Sequence, residues 1–344
     1  MEKRKNRLSS LDGLRAFAAI AIVIFHVFMR APYDFNNWFA NEIIYKLGTL
    51  VSLFMVISAF SMCCGYYDKI KNNQISLNDF YKRRYIKILP FFFIMVFIDI
   101  VVSKFNSNNM IEGFANLTLL FAFIPNTHIE VIGVAWTLGV IFAFYVLFPF
   151  FVFMIWDKKR AWLSFLLSLL LSYFTRTYFI ERILPPVVNI IFWLPYFVVG
   201  GLIFLYKDQF LKNFKDKKIV FILFIFLFTT LLRIKNPYIV NIDLYEFYKI
   251  LNDASLVILT IASTSFILDN RITRFISIIS FEIYLSHTMM IRVVEMLGVF
   301  TFTKSNSINI IVCCVIVLVL TVLFAYFATK IIELFFKQKA RNEN

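Results

Sequence analysis

Glycine, proline and histidine are scarce in this sequence of 344 residues, which contains 9 Gly, 8 Pro and 3 His. Phenylalanine occurs 44 times, 60% of the residues are hydrophobic, and the mean hydropathy is +0.78. Soluble domains lie nearer half apolar, so this composition argues against a soluble protein. The strands of a membrane β-barrel alternate polar and apolar residues, whereas this composition favours helices. The sequence therefore predicts an all-α polytopic membrane protein.

Cysteine is equally scarce and occurs only as two adjacent pairs, Cys63-Cys64 and Cys313-Cys314. Neighbouring side chains on a helix point in different directions, and no spacing typical of a zinc site is present. We therefore expect no metal site and interpret these cysteines as small core residues.

Acidic residues number 21 against 35 Lys and Arg. Because basic residues mark the cytoplasmic loops of membrane proteins, the excess does not indicate nucleic-acid binding.

Ten apolar segments approach the length of about 20 residues that a membrane span requires. If the N-terminus is cytoplasmic, most of the 35 Lys and Arg residues fall in loops on that same side. Both termini are therefore predicted to be cytoplasmic, with residues 1–336 as one integral-membrane domain, residues 337–344 as a short tail, and no soluble accessory domain. The predicted spans are 13–29, 47–67, 89–103, 134–156, 161–180, 188–206, 219–234, 248–268, 275–297 and 307–336.

The first apolar segment, "LDGLRAFAAIAIVIFHVF", contains both Arg15 and His26. Eleven residues correspond to about three full helical turns, so both side chains lie on one helix face, about 16 Å apart along the axis. Ionisable groups within a bilayer are costly and usually line a cavity or pair with each other. A snorkelling arginine and a structural histidine remain the alternative.

His287, on the ninth predicted span, is expected at the same depth as His26. Counting from the cytoplasmic end of each span places both side chains about 18–20 Å into the membrane. Two histidines at matched depth on separate helices can meet in one cavity. His128 falls in the outer segment 104–133 and is interpreted as a solvated loop residue. The short apolar piece 114–125 in that segment is predicted to be re-entrant or interfacial.

A basic cluster precedes Pro90 in the segment "YKRRYIKILP", which is predicted to be a loop. Arginine pairs with phosphate oxygens through two parallel hydrogen bonds, so Arg83, Arg84 and Lys87 are candidates for a phosphate clamp. The alternative is an ordinary cluster of positive residues beside a membrane span.

Four further charged residues are interpreted as structural. Arg292 and Glu295 are three residues apart on a predicted helix, as are Lys330 and Glu333, and this spacing allows ion pairs within each helix.

Five motifs occur in chain order and together span nearly the whole sequence. They are "SLDGLRAFAAIAIVIFH", "LFMVISAF", "YKRRYIKILP", "VAWTLGVIFAFYVLFPF" and "ISFEIYLSH". The set resembles the membrane-bound acyltransferase-3 family, in which the corresponding motifs are a basic residue and a histidine with ten residues between them, "FFVLSGF", Arg-Arg-x-x-Arg-x-x-Pro, "WSLSVEEQFYLLFP" and "ISYSIYLIH". Ile141 stands where the family usually has Glu, so another residue supplies that group or this branch works without it.

The resemblance implies an O-acyltransferase that moves an acyl group, usually acetyl from acetyl-CoA, onto hydroxyls of envelope glycans. The implied partners are acyl-CoA, a glycan or lipid-linked sugar acceptor and the lipid bilayer, in the inner membrane of a bacterium. His26 is then a base or a transient acyl carrier. The implied site residues are His26 and Arg15 for catalysis, Arg83, Arg84 and Lys87 for the acyl-CoA donor, and Trp136, Tyr145, His287 and Ser58 for the substrate pocket.

Two other classes of protein stay open. A transporter or flippase of a lipid-linked sugar would also use ten spans and intramembrane charges, but it predicts inverted repeats and broken helices, which the sequence does not reveal. The other class is an inactive relative or a sensor, and the only support for it is that Ile141 stands where the family usually has Glu. Turnover of acyl-CoA by the purified protein separates these classes.

Overall fold

The structure is a helical bundle in which eleven helices are defined over the described part of the chain. This computed structural model describes residues 9–123, 131–180, 189–213, 222–223, 226–227, 230, 238–239, 242–243, 245–262 and 267–342. The helices are α1 Ser9–Arg30, α2 Ala40–Lys71, α3 Leu77–Val102, α4 Ser107–Leu117, α5 Trp136–Met154, α6 Lys158–Phe174, α7 Ile190–Asn213, α8 Tyr245–Ala262, α9 Arg271–Ile278, α10 Ser280–Met296 and α11 Asn306–Asn342. Two short antiparallel strands, β1 Tyr238–Ile239 and β2 Ile242–Asp243, precede α8.

Six helices in the described residues are long and apolar enough to cross a membrane. They agree with six of the ten predicted spans, whereas the total of ten is not confirmed. Helices α6 and α10 have only 17 residues each, and α8 contains Glu246, Lys249 and Asp253. The predicted span 219–234 falls largely outside the described residues. The six helices are Ser10–Arg30, Ala40–Lys71, Leu77–Val102, Gly133–Met154, Ile190–Lys212 and Asn306–Phe336.

The basic segment before Pro90 is helical, so its prediction as a loop was wrong. Helix α3 begins after Ser76, whose hydroxyl oxygen accepts a hydrogen bond from the Asp79 amide at 3.0 Å. This N-cap satisfies one of the free amides of the first turn. The span was predicted to begin at residue 89, but the helix begins at Leu77, so Pro90 lies in its interior. Proline is tolerated within membrane helices where neighbouring groups satisfy the backbone.

The predicted span 275–297 is divided into two helices. Helix α9 ends at Ile278, and Ile279 leaves the helical conformation with φ −106° and ψ 14° before α10 begins. The Ser280 hydroxyl donates to the Ser277 carbonyl oxygen at 2.9 Å across this break. The start of α9 is fixed by Asn270 and Thr273, whose side chains each accept a hydrogen bond from the other residue's backbone amide. The sequence showed only a continuous apolar run here.

The predicted ion pairs within single helices are half correct. Lys330 and Glu333 pair at 2.9 Å. Arg292 instead pairs with Asp99 of α3 at 3.5 Å, and Glu295 pairs with Arg30 of α1 at 3.0 Å. Both predicted pairs have the i,i+3 spacing. In α10, however, Arg292 and Glu295 each pair with an opposite charge on another helix instead of with each other.

Helix α1 packs between the two hydrophobic clusters of the bundle. Leu14, Ala18 and Ile22 are buried in one cluster, whereas Ala19 and Val23 are buried in the other. Because both of its faces are covered, the positions of Arg15 and His26 are fixed relative to the surrounding helices.

Gly200 allows α7 to pack closely against α2. A Cβ atom at this position would overlap the Val56 carbonyl oxygen and lie 2.8 Å from the Ala59 Cβ. We expect Gly200→Ala to destabilise the bundle by about 1–3 kcal/mol through overpacking. Thermal unfolding of the purified protein in detergent measures this effect. Gly65→Ala is the control, because Gly65 is also on a helical segment but no atom of the described residues lies within 4 Å of the added Cβ. Equal melting of both variants would contradict the prediction.

Candidate active site

A cavity of about 340 Å³ lies between α1, α2, α3, α5, α9 and α10. Helix α2 lines its length with Tyr66, Met62, Ser61, Ser58 and Phe54, among others. Twelve residues separate Phe54 from Tyr66, which corresponds to about 18 Å at the helical rise. This central cavity has a size typical of small-molecule sites.

One end of the central cavity is basic. Arg15, Arg84 and Lys87 line it there, and we call these three residues the basic end. Arg15 forms an ion pair with Asp12 at 3.4 Å and donates a hydrogen bond to the Ser61 hydroxyl. These contacts hold the α1 arginine against α2.

Arg84 lies between two tyrosines. Its guanidinium donates to the Tyr66 hydroxyl at 2.6 Å and lies 4.8 Å from the centroid of that ring. The Tyr145 ring is 5.8 Å away on the other side. The Nε atom is buried and has no hydrogen-bond partner in the described part of the chain. Arg84 is therefore held in place with a donor available for an anionic ligand.

Two pairs of polar side chains from different walls lie next to each other further along the central cavity. Tyr145 of α5 lies beside Ser58 of α2. Tyr284 of α10 lies beside Thr137 of α5, and its ring packs 6.0 Å from Phe54. Phe54 and Tyr284 line the cavity away from the basic end, together with aliphatic residues, and we call this part the aromatic end.

His26 and His287 meet beyond the aromatic end of the central cavity, and we call them the histidine pair. The His287 Nε2 atom is 3.1 Å from the His26 Nδ1 atom, and the ring centroids are 4.8 Å apart. His287 is fully buried and lies behind Tyr284, whereas His26 is half-buried. Neither histidine lines the central cavity.

Backbone carbonyl groups determine which nitrogen of each neutral ring carries the proton. His287 Nδ1 lies 2.6 Å from the Tyr284 carbonyl oxygen, and His26 Nδ1 lies 3.0 Å from the Ile22 carbonyl oxygen. Since a carbonyl oxygen only accepts, both Nδ1 atoms carry protons. The His26 Nδ1–H is shared between Ile22 and the His287 Nε2 lone pair. His26 Nε2 therefore has the lone pair of a potential base.

The predicted site residues divide into three groups. Arg15, Arg84, Lys87, Tyr145 and Ser58 line the central cavity. His26 and His287 lie beyond its aromatic end. Arg83 and Trp136 do not line the central cavity. Arg83 is exposed, and the Trp136 ring stacks on the Trp193 ring with their centroids 5.8 Å apart. His128 lies outside the described residues.

Three lining residues were missed or left unassigned at the sequence level. Tyr66 contacts Arg84, and Thr137 contacts Tyr284. The sequence gives no signal of such contacts, because an aromatic or hydroxyl residue in an apolar run is not distinctive. Glu282 is a charged residue inside the predicted span 275–297, and it lines the central cavity together with Ile141. Its unbalanced charge was the available signal.

The sequence model of the acyltransferase-3 family, described as "Acyltransferase domain", matches residues 8–328. The match covers more than nine-tenths of the chain and includes the central cavity and the histidine pair. This protein therefore belongs to that acyltransferase family. Together with the six apolar helices, the family indicates a multi-pass membrane protein.

A curated relative agrees with this assignment. Over 161 residues the chain is 29% identical to "Acyltransferase MdmB" of Streptomyces mycarofaciens, which corresponds to 43% of this chain and 40% of that protein. The chain thus matches about two-fifths of the length of this relative. No solved structure matches the chain significantly.

Proposed function

We propose that the protein is an O-acyltransferase that transfers an acyl group, acetyl in the first instance, from cytoplasmic acetyl-CoA to a hydroxyl of an envelope glycan. The acceptor class is a capsule, an O-antigen or a lipid-linked repeat unit, and the location is the inner membrane of a bacterium. The observation that carries the proposal is the position of the histidine pair beyond a cavity whose other end is basic.

The basic end suits the phosphates of acyl-CoA. Three cations line it, and Arg84 has a buried Nε donor with no described partner. Charge-assisted hydrogen bonds from arginine to phosphate are among the strong ones in proteins. With its phosphates at this end, the donor extends its thioester along α2 toward Tyr284.

The histidine pair suits deprotonation of an acceptor hydroxyl. His26 Nε2 takes the hydroxyl proton while the oxygen attacks the thioester carbonyl carbon. The carbon–sulfur bond then breaks, and the leaving thiolate takes the proton from His26. The alternative role of His26 as a transient acyl carrier gives the same products.

The test is acyl transfer by the purified protein in lipid nanodiscs supplied with labelled acetyl-CoA and envelope glycan. We expect a new O-acetyl signal in the glycan by NMR, matched by release of free CoA. A protein carrying both His26→Ala and Arg84→Gln serves as the inactive control. Acetyl-CoA left intact with every glycan offered would contradict the proposal.

A transporter of lipid-linked sugar is the second candidate. The observation that favours it is the break at Ile279 between α9 and α10, because broken helices are common at transporter substrate sites. Movement of a lipid-linked sugar across vesicles, without CoA release, would support this candidate instead.

A further inference from the structure

A carboxylate lies among the cations of the central cavity and has no part in the transfer chemistry above. Glu282, on the first turn of α10, lines the cavity. Among the described lining residues it is the one acidic side chain. Its Oε2 atom is buried and has no hydrogen-bond partner in the described residues. Leaving such an atom without a donor is unfavourable, so a ligand that donates to it is favoured.

Glu282 lies between the two ends of the central cavity. Lys87 of the basic end is near enough for its charge to act on the Glu282 carboxylate. Tyr284, at the aromatic end, is only two residues further along α10, or about 3 Å along the axis. The break at Ile279 sets where α10 begins and therefore which way this first turn faces.

The chemistry of a carboxylate restricts what it can bind. An ionised carboxylate only accepts hydrogen bonds, and it repels phosphate groups. The ligand group beside Glu282 must therefore be an N–H or an O–H group. In acyl-CoA such groups occur on the pantetheine arm, which joins the phosphates to the thioester through amides and carries a hydroxyl.

We propose that Glu282 accepts a hydrogen bond from the pantetheine arm of the acyl donor and thereby sets how far the thioester extends along the central cavity. This inference rests on the proposed function, because it takes acyl-CoA as the donor. Phosphates held at the basic end and an arm held at Glu282 are two anchors on one flexible molecule. Two anchors restrict the position of the thioester more than a single anchor does. This restriction favours the geometry that the acceptor hydroxyl needs to attack the thioester carbon.

The experiment compares two ligands that differ by the arm. The ligands are acetyl-CoA and its nucleotide half, adenosine 3′-phosphate 5′-diphosphate, measured by calorimetry on the wild-type protein and its variants. We expect Glu282→Ala to weaken acetyl-CoA binding about tenfold and to leave binding of the nucleotide half unchanged. Glu282→Gln keeps an oxygen acceptor, so we expect a smaller loss. Glu295→Gln, at the exposed far end of α10, is the matched control and should affect neither ligand.

Each other outcome has a distinct meaning. Unchanged or tighter acetyl-CoA binding in Glu282→Ala, together with weaker binding in Arg84→Gln, would overturn this inference while the proposed function stands. An equal loss for both ligands in Glu282→Ala would also overturn it, since it would show a structural effect on the whole cavity. If the wild-type protein bound neither ligand, the proposed function itself would fail.

Discussion

Replacing His26 by alanine should lower acyl transfer about a hundredfold to ten-thousandfold, which is the usual range for loss of a general base. The lone pair on Nε2 is the feature that we propose acts as the base, because both neutral rings of the histidine pair carry their protons on Nδ1. Initial rates of O-acetylation at saturating acetyl-CoA measure the effect. Binding of acetyl-CoA should be unchanged, since His26 does not line the central cavity.

His287 gives the matched comparison for that prediction. His287→Gln removes the ring that accepts from His26 but keeps a side-chain oxygen in its place. We expect a smaller loss of rate than for His26→Ala, because Ile22 still holds the His26 tautomer. If His26→Ala retained the wild-type rate, the histidine pair would be structural.

Replacing Arg84 by glutamine is expected to raise the KM for acetyl-CoA about tenfold to a hundredfold, with a smaller change in kcat. The guanidinium lines the central cavity between Tyr66 and Tyr145, and a hydrogen bond to a charged group contributes about 1.5–3 kcal/mol. The measurement is the dependence of the initial rate on acetyl-CoA concentration.

Arg83 is the control, because it is adjacent in sequence, equal in charge and absent from the cavity lining. Arg83→Gln should change the KM by no more than about twofold, as expected for an exposed charge. Equal effects of the two substitutions would show that the donor binds at the membrane surface rather than in the central cavity. Performing both assays at two salt concentrations separates surface attraction from contact within the cavity.

The contrast between Arg83 and Arg84 shows where sequence reasoning failed. Residues next to each other on a helix differ by about 100° in direction. Because "YKRRYIKILP" was interpreted as a loop, the difference in side-chain direction between neighbouring helical residues was not considered. Arg83 and Arg84 were therefore treated as equally good candidates for binding the acyl-CoA donor. The cause was the predicted start of the span at residue 89, whereas α3 begins at Leu77 and includes the basic residues.

The histidine pair shows where sequence reasoning succeeded. Helical periodicity and rise placed His26 and His287 at one depth, and the structure brings the two rings within 3.1 Å. Their partners were beyond prediction, because both are backbone carbonyl groups. The orientation of Glu282 was also beyond prediction, since it depends on the break at Ile279 in an apolar run that has no proline or glycine.

The carbonyl contacts of the histidine pair also constrain the route that a proton takes. A proton that His26 accepts on Nε2 can spread through Nδ1 to His287, but within the described residues the chain of hydrogen bonds ends at the Tyr284 carbonyl oxygen. An amide carbonyl does not pass a proton onward, so Nε2 of His26 is the one atom of this hydrogen-bonded chain through which a proton can enter or leave. The proton therefore leaves through the atom by which it entered. In the proposed transfer, the Nε2 atom of His26 therefore both takes the proton from the acceptor hydroxyl and gives it to the leaving thiolate.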